Sequence, residues 1–80
     1  MNTRTFKINL NTIDRVKKFV DIVSKIDGTL DLVSGRYRVD AKSIMGIFSL
    51  DLSKDLDLVV HYEDEKLIPK IENNILDFLV

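Results

Sequence analysis

Val39-Asp40-Ala41-Lys42-Ser43-Ile44-Met45-Gly46-Ile47-Phe48-Ser49-Leu50 is the stretch on which the fold turns. Ile44, Ile47 and Phe48 recur at helical spacing, where strict alternation has just ended at Val39. Ser43 stands immediately ahead of them, and its hydroxyl can accept from the free N–H groups of a first helical turn. A short helix is therefore expected from about 44 to 51, capped by Ser43. Met45 cannot face the same way as Ile44, Ile47 and Phe48, so Met45 is expected outside and Ile47 inside.

Upstream of this stretch the chain alternates. Leu30 and Leu32 lie on one side of 29–33, and Tyr37 and Val39 continue the pattern over 36–40. Ser34-Gly35 suits a two-residue hairpin loop, so the two runs must pair antiparallel. Thr5-Phe6-Lys7-Ile8-Asn9-Leu10 alternates too, with Phe6, Ile8 and Leu10 on one face of an expected first strand. Asn11 or Thr12 can then cap a helix over about 12–26. Ile13, Val16, Val20, Val23 and Ile26 form its apolar stripe, widened by Phe19 and Ile22, with Gly28 as a stop signal. Lys17 and Lys18 read as a solvated face of that helix.

Downstream, 51–57 is polar and reads as a loop. Leu58 to Tyr62 is apolar and β-branched enough for a central strand, covered on both faces. Ile68, Ile71, Ile75 and Phe78 or Leu79 form a last helical stripe. Pro69 requires that this helix either begin near Ile68, with proline in the first turn, or kink. The order is strand, helix, strand, strand, short helix, strand, helix. That order predicts an α+β open-faced sandwich of two layers, with the helices on one face of a single sheet.

Composition narrows the chemistry. Eighty residues, 45% hydrophobic and 31% charged, suit one compact domain spanning 1–80. Twelve basic against thirteen acidic residues leave a formal charge of −1, so no global field draws the chain to nucleic acid or to an anionic membrane. No cysteine is present, which removes disulfides, thiolate nucleophiles and cysteine metal sites. No apolar run is long enough to span a membrane, and Met1 to Thr5 lacks the apolar core of a secretory signal. A cytoplasmic location is expected. His61, the single histidine, falls on the last strand with no second ligand or nucleophile beside it. Glu63-Asp64-Glu65 lacks the alternating ligand spacing and glycine of a calcium loop and reads as a loop and helix cap; no metal or cofactor is expected.

The segment Val39 to Leu50, and Lys42-Ser43-Ile44-Met45-Gly46 above all, resembles the regulatory-serine segment of the HPr (histidine phosphocarrier) family of the bacterial sugar phosphotransferase system. Thr5-Phe6-Lys7, Ser24-Lys25 and Gly35 find looser counterparts. The resemblance implies a four-stranded antiparallel sheet of order 1-4-2-3 with three helices on one side (βαββαβα). It also implies a histidine, followed by alanine, arginine and proline, where the first strand enters the first helix. That histidine accepts a phosphoryl group from Enzyme I, which suits an imidazole that is neutral and nucleophilic near neutral pH. The corresponding stretch here, Asn9 to Val16, is shorter and holds neither histidine nor proline. Asn11, Thr12, Asp14 and Arg15 form a degenerate active-site segment. Arg15 is displaced by one position, Asp14 would repel a phosphoryl group, and a Thr12 phosphate ester has too low a transfer potential to pass phosphate onward. No histidine relay is expected.

The regulatory side of the resemblance is fuller. It implies phosphorylation of Ser43 by the ATP-dependent HPr kinase/phosphorylase of Gram-positive bacteria, at a helix start that favours negative charge. Ile44, Met45 and Phe48 correspond to the family's docking patch for that kinase, for Enzyme I and for a LacI-type transcriptional regulator. One branch of the family keeps the serine, lacks the histidine and serves catabolite repression. The expected function is thus a non-catalytic regulatory protein related to the phosphotransferase system. The alternatives are a phosphocarrier component of that system, and an interaction domain in which both phosphorylation sites have lapsed.

Overall fold

A computed structural model describes residues 2–80, which form one sheet and one layer of helices. The strands are β1 (Asn2–Ile8), β2 (Thr29–Ser34), β3 (Tyr37–Asp40) and β4 (Leu56–Tyr62), and the helices are α1 (Ile13–Val23), α2 (Ile44–Phe48) and α3 (Leu67–Asn74). A 3-10 turn, Leu76–Phe78, follows α3. All strand pairs are antiparallel in the order β1-β4-β2-β3, the order that the family resemblance implies, within the two-layer sandwich expected from the periodicity.

Alternation sorts the sheet into two faces. Phe6, Ile8, Leu30, Leu32, Leu56, Leu58 and Val60 are buried under the helices. Val16, Phe19 and Val23 of α1, Ile47 of α2 and Ile71 of α3 meet them from above. Phe19 and Phe78 close the layer edge-to-face, with centroids 5.6 Å apart and an interplanar angle of 84°. No polar side chain is buried among the described residues. The core is therefore held by apolar area and backbone pairing alone.

Several boundaries differ from those expected. β1 begins at Asn2 although Asn2 to Thr5 show no apolar alternation, because their partners on β4, Tyr62 to Val59, supply the ladder. It also stops at Ile8: the Asn9 N–H turns away to the Phe78 carbonyl at 2.9 Å, while Leu10 remains fully buried. Helix α1 ends at Val23 rather than near 26, and Ile13, counted in its core stripe, is 62% exposed. The hairpin loop is Gly35-Arg36, one residue later than expected, since Ser34 pairs with Tyr37. Gly35 takes a φ of 59°, the positive value that a type II′ turn requires at its first central position. Tyr37, the first residue of the edge strand β3, is 70% exposed.

β4 starts at Leu56, two residues early, because Leu56 and Asp57 pair with Ile8 and Lys7. It is covered on one face only: Asp57, Val59 and His61 are half-buried on the other. Helix α2 stops at Phe48 after five residues, and Leu50 is buried beyond it. Helix α3 begins at Leu67. Pro69 is its third residue, within the first turn, where a backbone N–H has no intrahelical partner to lose. Asp64 prepares that start by accepting from the backbone N–H groups of Lys66 and Leu67, each at 3.0 Å.

Candidate functional site

The turn from β1 into α1 carries Asn11, Thr12, Asp14 and Arg15, the segment expected from the sequence to be a degenerate active site. Thr12 is the N-cap of α1, with φ −132° and ψ 155°, and its Oγ1 accepts from the Arg15 N–H at 3.1 Å. Asn9 fastens the turn from both sides. Its Oδ1 accepts from the Asn11 N–H at 3.2 Å, and its Nδ2 donates to Asp55 Oδ1 at 3.1 Å. Asn11, Ile13 and Asp14 are exposed.

Arg15 has a different task from one that faces a ligand. Its Nε and one terminal nitrogen donate to the Asn9 carbonyl at 3.2 and 2.9 Å, and the same terminal nitrogen reaches the Asp77 carbonyl at 3.0 Å. Its guanidinium carbon lies 5.1 Å from the Phe78 ring centroid. The planar fork is thus aimed at main-chain oxygens of two segments and stacked on an aromatic ring. Arg15 ties the end of β1 to the C-terminal 3-10 turn. Nothing local in the sequence signals this, because Phe78 and Asp77 stand more than sixty positions away.

The second region is α2. Ser43, with φ −99° and ψ 104°, caps it: Oγ accepts from the Gly46 N–H at 3.2 Å. Gly46 packs so closely that a Cβ there would lie 3.2 Å from Val39 Cβ and 3.3 Å from Ser43 Oγ. Met45 is 77% exposed, Phe48 is 40% exposed and Ile44 is half-buried, whereas Ile47 is wholly buried. That is the split expected from crowding on one helix face. Ile44 is shared between surface and core rather than free. Lys42, beside the serine, is engaged elsewhere: Nζ donates to the Ile26 carbonyl at 2.6 Å and the Gly28 carbonyl at 3.1 Å.

His61 stands apart from both regions. Its Cα partner on β1 is Thr3, and about 20 Å of strand separate Thr3 from Asn9, at roughly 3.3 Å per residue. Its Nε2 lies 3.0 Å from Asp31 Oδ2, which also accepts from Arg38 at 2.8 Å, on the open face of the sheet. Among the described residues no group of three histidine, cysteine or carboxylate side chains is placed to hold a metal ion. No helix among them is long and apolar enough to cross a membrane.

The fold has clear relatives. A family model described as the PTS HPr component phosphorylation site matches residues 15–73. A solved structure described as HPr-C-His from Thermoanaerobacter tengcongensis superposes with a TM-score of 0.71 at 27% identity, covering 96% of this chain and 92% of that one. The phosphocarrier protein HPr from Bacillus anthracis str. Ames superposes with a TM-score of 0.65, covering 91% of this chain and 94% of that one; at 18% identity it speaks for the fold alone. No curated protein matches the sequence.

Proposed function

The chain belongs to the PTS-HPr family, whose members are phosphocarriers that work with other proteins of the phosphotransferase system, and on that premise we propose that it is a non-catalytic regulatory member without a histidine relay. The carrying observation is the β1–α1 turn. Where the family places its phosphoryl acceptor, Asn11 to Arg15 offer no imidazole, and the nearest cation, Arg15, is committed to the Asn9 and Asp77 carbonyls. The match to the family model begins at Arg15, after the positions at which the acceptor is missing.

Regulation on this reading runs through Ser43 and the α2 surface. Ser43 is exposed, and its hydroxyl holds a single backbone hydrogen bond that a phosphate ester can replace. Met45 and Phe48 supply exposed apolar area for a partner, with Ile44 behind them; methionine adapts readily to such contacts. The HPr kinase/phosphorylase is the enzyme expected to modify Ser43. A LacI-type transcriptional regulator or Enzyme I is expected to dock on Ile44, Met45 and Phe48. The locked position of Lys42 means that a Ser43 phosphate would meet the α2 N–H groups and the partner, not a neighbouring lysine.

Intact-mass spectrometry after incubation with the kinase and ATP tests this. One added phosphate that disappears in Ser43→Ala is expected. An unmodified wild-type chain would reduce Ser43 to a helix cap and leave an interaction domain with both phosphorylation sites lapsed.

A further inference from the structure

The β2–β3 hairpin and the loop between α2 and β4 face each other across a cleft of about 480 Å³, within the size range of small-molecule sites. Arg36 and Tyr37 come from the hairpin; Ser49, Asp51, Lys54 and Asp55 come from the other wall. Neither Arg36 nor Lys54 has a carboxylate within ion-pair distance among the described residues. Two cationic residues of different geometry therefore line one space, neither of them ion-paired.

The acidic wall is only half used. One Asp51 oxygen accepts from the Ser53 N–H at 3.1 Å and the Ser53 hydroxyl at 2.6 Å. One Asp55 oxygen accepts from Asn9 Nδ2 at 3.1 Å. Each carboxylate keeps its second oxygen for a donor from outside. Tyr37, 70% exposed, adds an aromatic ring and a phenol that no packing of the core requires.

These elements sort candidate ligands by charge and by shape. A bare anion gains from Arg36 and Lys54 but brings no hydroxyl donor for the free oxygens of Asp51 and Asp55. A neutral sugar satisfies the carboxylates and the ring but leaves both cations unpaired. A ligand carrying both a phosphate and several hydroxyls uses every group: guanidinium and ammonium hold the phosphate, the carboxylates accept hydroxyl protons, and the ring face covers C–H groups. We propose that this cleft binds a sugar phosphate, its phosphate on Arg36 and Lys54 and its hydroxyls on Asp51 and Asp55, against Tyr37. No bond is made or broken.

The test is an amide-detected NMR titration of the full chain with glucose 6-phosphate, and separately with glucose and with inorganic phosphate. Saturable shifts at Arg36, Tyr37, Ser49 and Lys54 are expected with glucose 6-phosphate in the millimolar range, with either fragment binding about tenfold more weakly or worse. Arg36→Gln and Tyr37→Ala alter exposed side chains, leave the rest of the spectrum in place, and should each weaken binding about tenfold. Absence of saturable shifts with glucose 6-phosphate would overturn the assignment. So would an equal response to inorganic phosphate alone, or undiminished binding by both variants. None of these outcomes touches the reading of Ser43, which is tested with a different ligand at a different surface.

Discussion

Arg15 and Phe78 are stacked, guanidinium carbon to ring centroid 5.1 Å, while the arginine's hydrogens go to the carbonyls of Asn9 and Asp77. One side chain thereby closes the layer at the point where β1, α1 and the C-terminal turn converge. Two backbone bonds run beside it: Asn9 N–H to the Phe78 carbonyl at 2.9 Å, and Val80 N–H to the Lys7 carbonyl at 3.0 Å. An arginine that could serve phosphate chemistry is held instead as a clasp between distant parts of the chain.

Replacing the clasp should cost stability. Arg15→Met removes hydrogen bonds to two carbonyls and the stacking on Phe78, and a loss of about 1–3 kcal/mol is expected in urea unfolding. Arg15→Lys should recover less than half of it, because an ammonium cannot present the planar fork. A fully stable Arg15→Met chain would show that the clasp is ornamental.

The burial split on α2 separates folding from docking. Ile47→Ala empties a wholly buried site and should cost about 2–5 kcal/mol. Met45→Ala, at a side chain 77% exposed, should stay within about 0.5 kcal/mol of wild type. If the α2 face is the docking surface, Met45→Ala should still weaken partner binding severalfold, as read by titration calorimetry with the kinase.

The hairpin supplies a conformational test. Gly35 has φ 59° and no atom within 4 Å of where a Cβ would stand, so substitution there probes backbone strain without a clash. Gly35→Ala is expected to destabilise by about 1 kcal/mol, and Gly35→Asn by less, since asparagine is accepted at the positive-φ positions of hairpin turns. Thermal melting of the two variants gives the comparison.

Asp51 provides a pH signature. The Ser53 hydroxyl, then the Ser53 N–H, and at longer range the charge of Lys54, hold its carboxyl below the usual aspartate value. A group whose folded pKa is depressed stabilises the fold above its unfolded pKa, and that contribution disappears as pH falls through the folded value. Ser53→Ala should move the Asp51 titration upward in a carboxyl-detected NMR series, narrowing this acid-side window. An unchanged titration would assign the shift to something other than Ser53.

Much of the fold was readable in the residues because each inner-face position announces itself locally. Phe6, Ile8, Leu30, Leu32 and Leu58 alternate, Val16, Phe19 and Val23 recur at helical spacing, and Thr12 and Ser43 stand where caps are needed. What escaped depends on partners far away in sequence. Asn2 to Thr5 are strand because β4 pairs with them, and Leu56 joins β4 because Ile8 is opposite it. Ile13 obeys the helical period yet lies at a helix end that no other layer covers. The same limit hid the site contacts. The positions of Arg15, Lys42 and His61 follow from carbonyls and carboxylates of Asp77, Ile26, Gly28 and Asp31 that only the folded chain brings near.

Whether the chain carries a phosphoryl group is tested by incubating the protein with Enzyme I and phosphoenolpyruvate and assaying for acid-labile phosphate. No such phosphate is expected, because the β1–α1 turn holds no imidazole and His61 stands at the opposite end of β1, bound to Asp31. Acid-labile phosphate on the wild-type chain, abolished in His61→Ala, would contradict that reading and make this protein a phosphocarrier with a relocated acceptor.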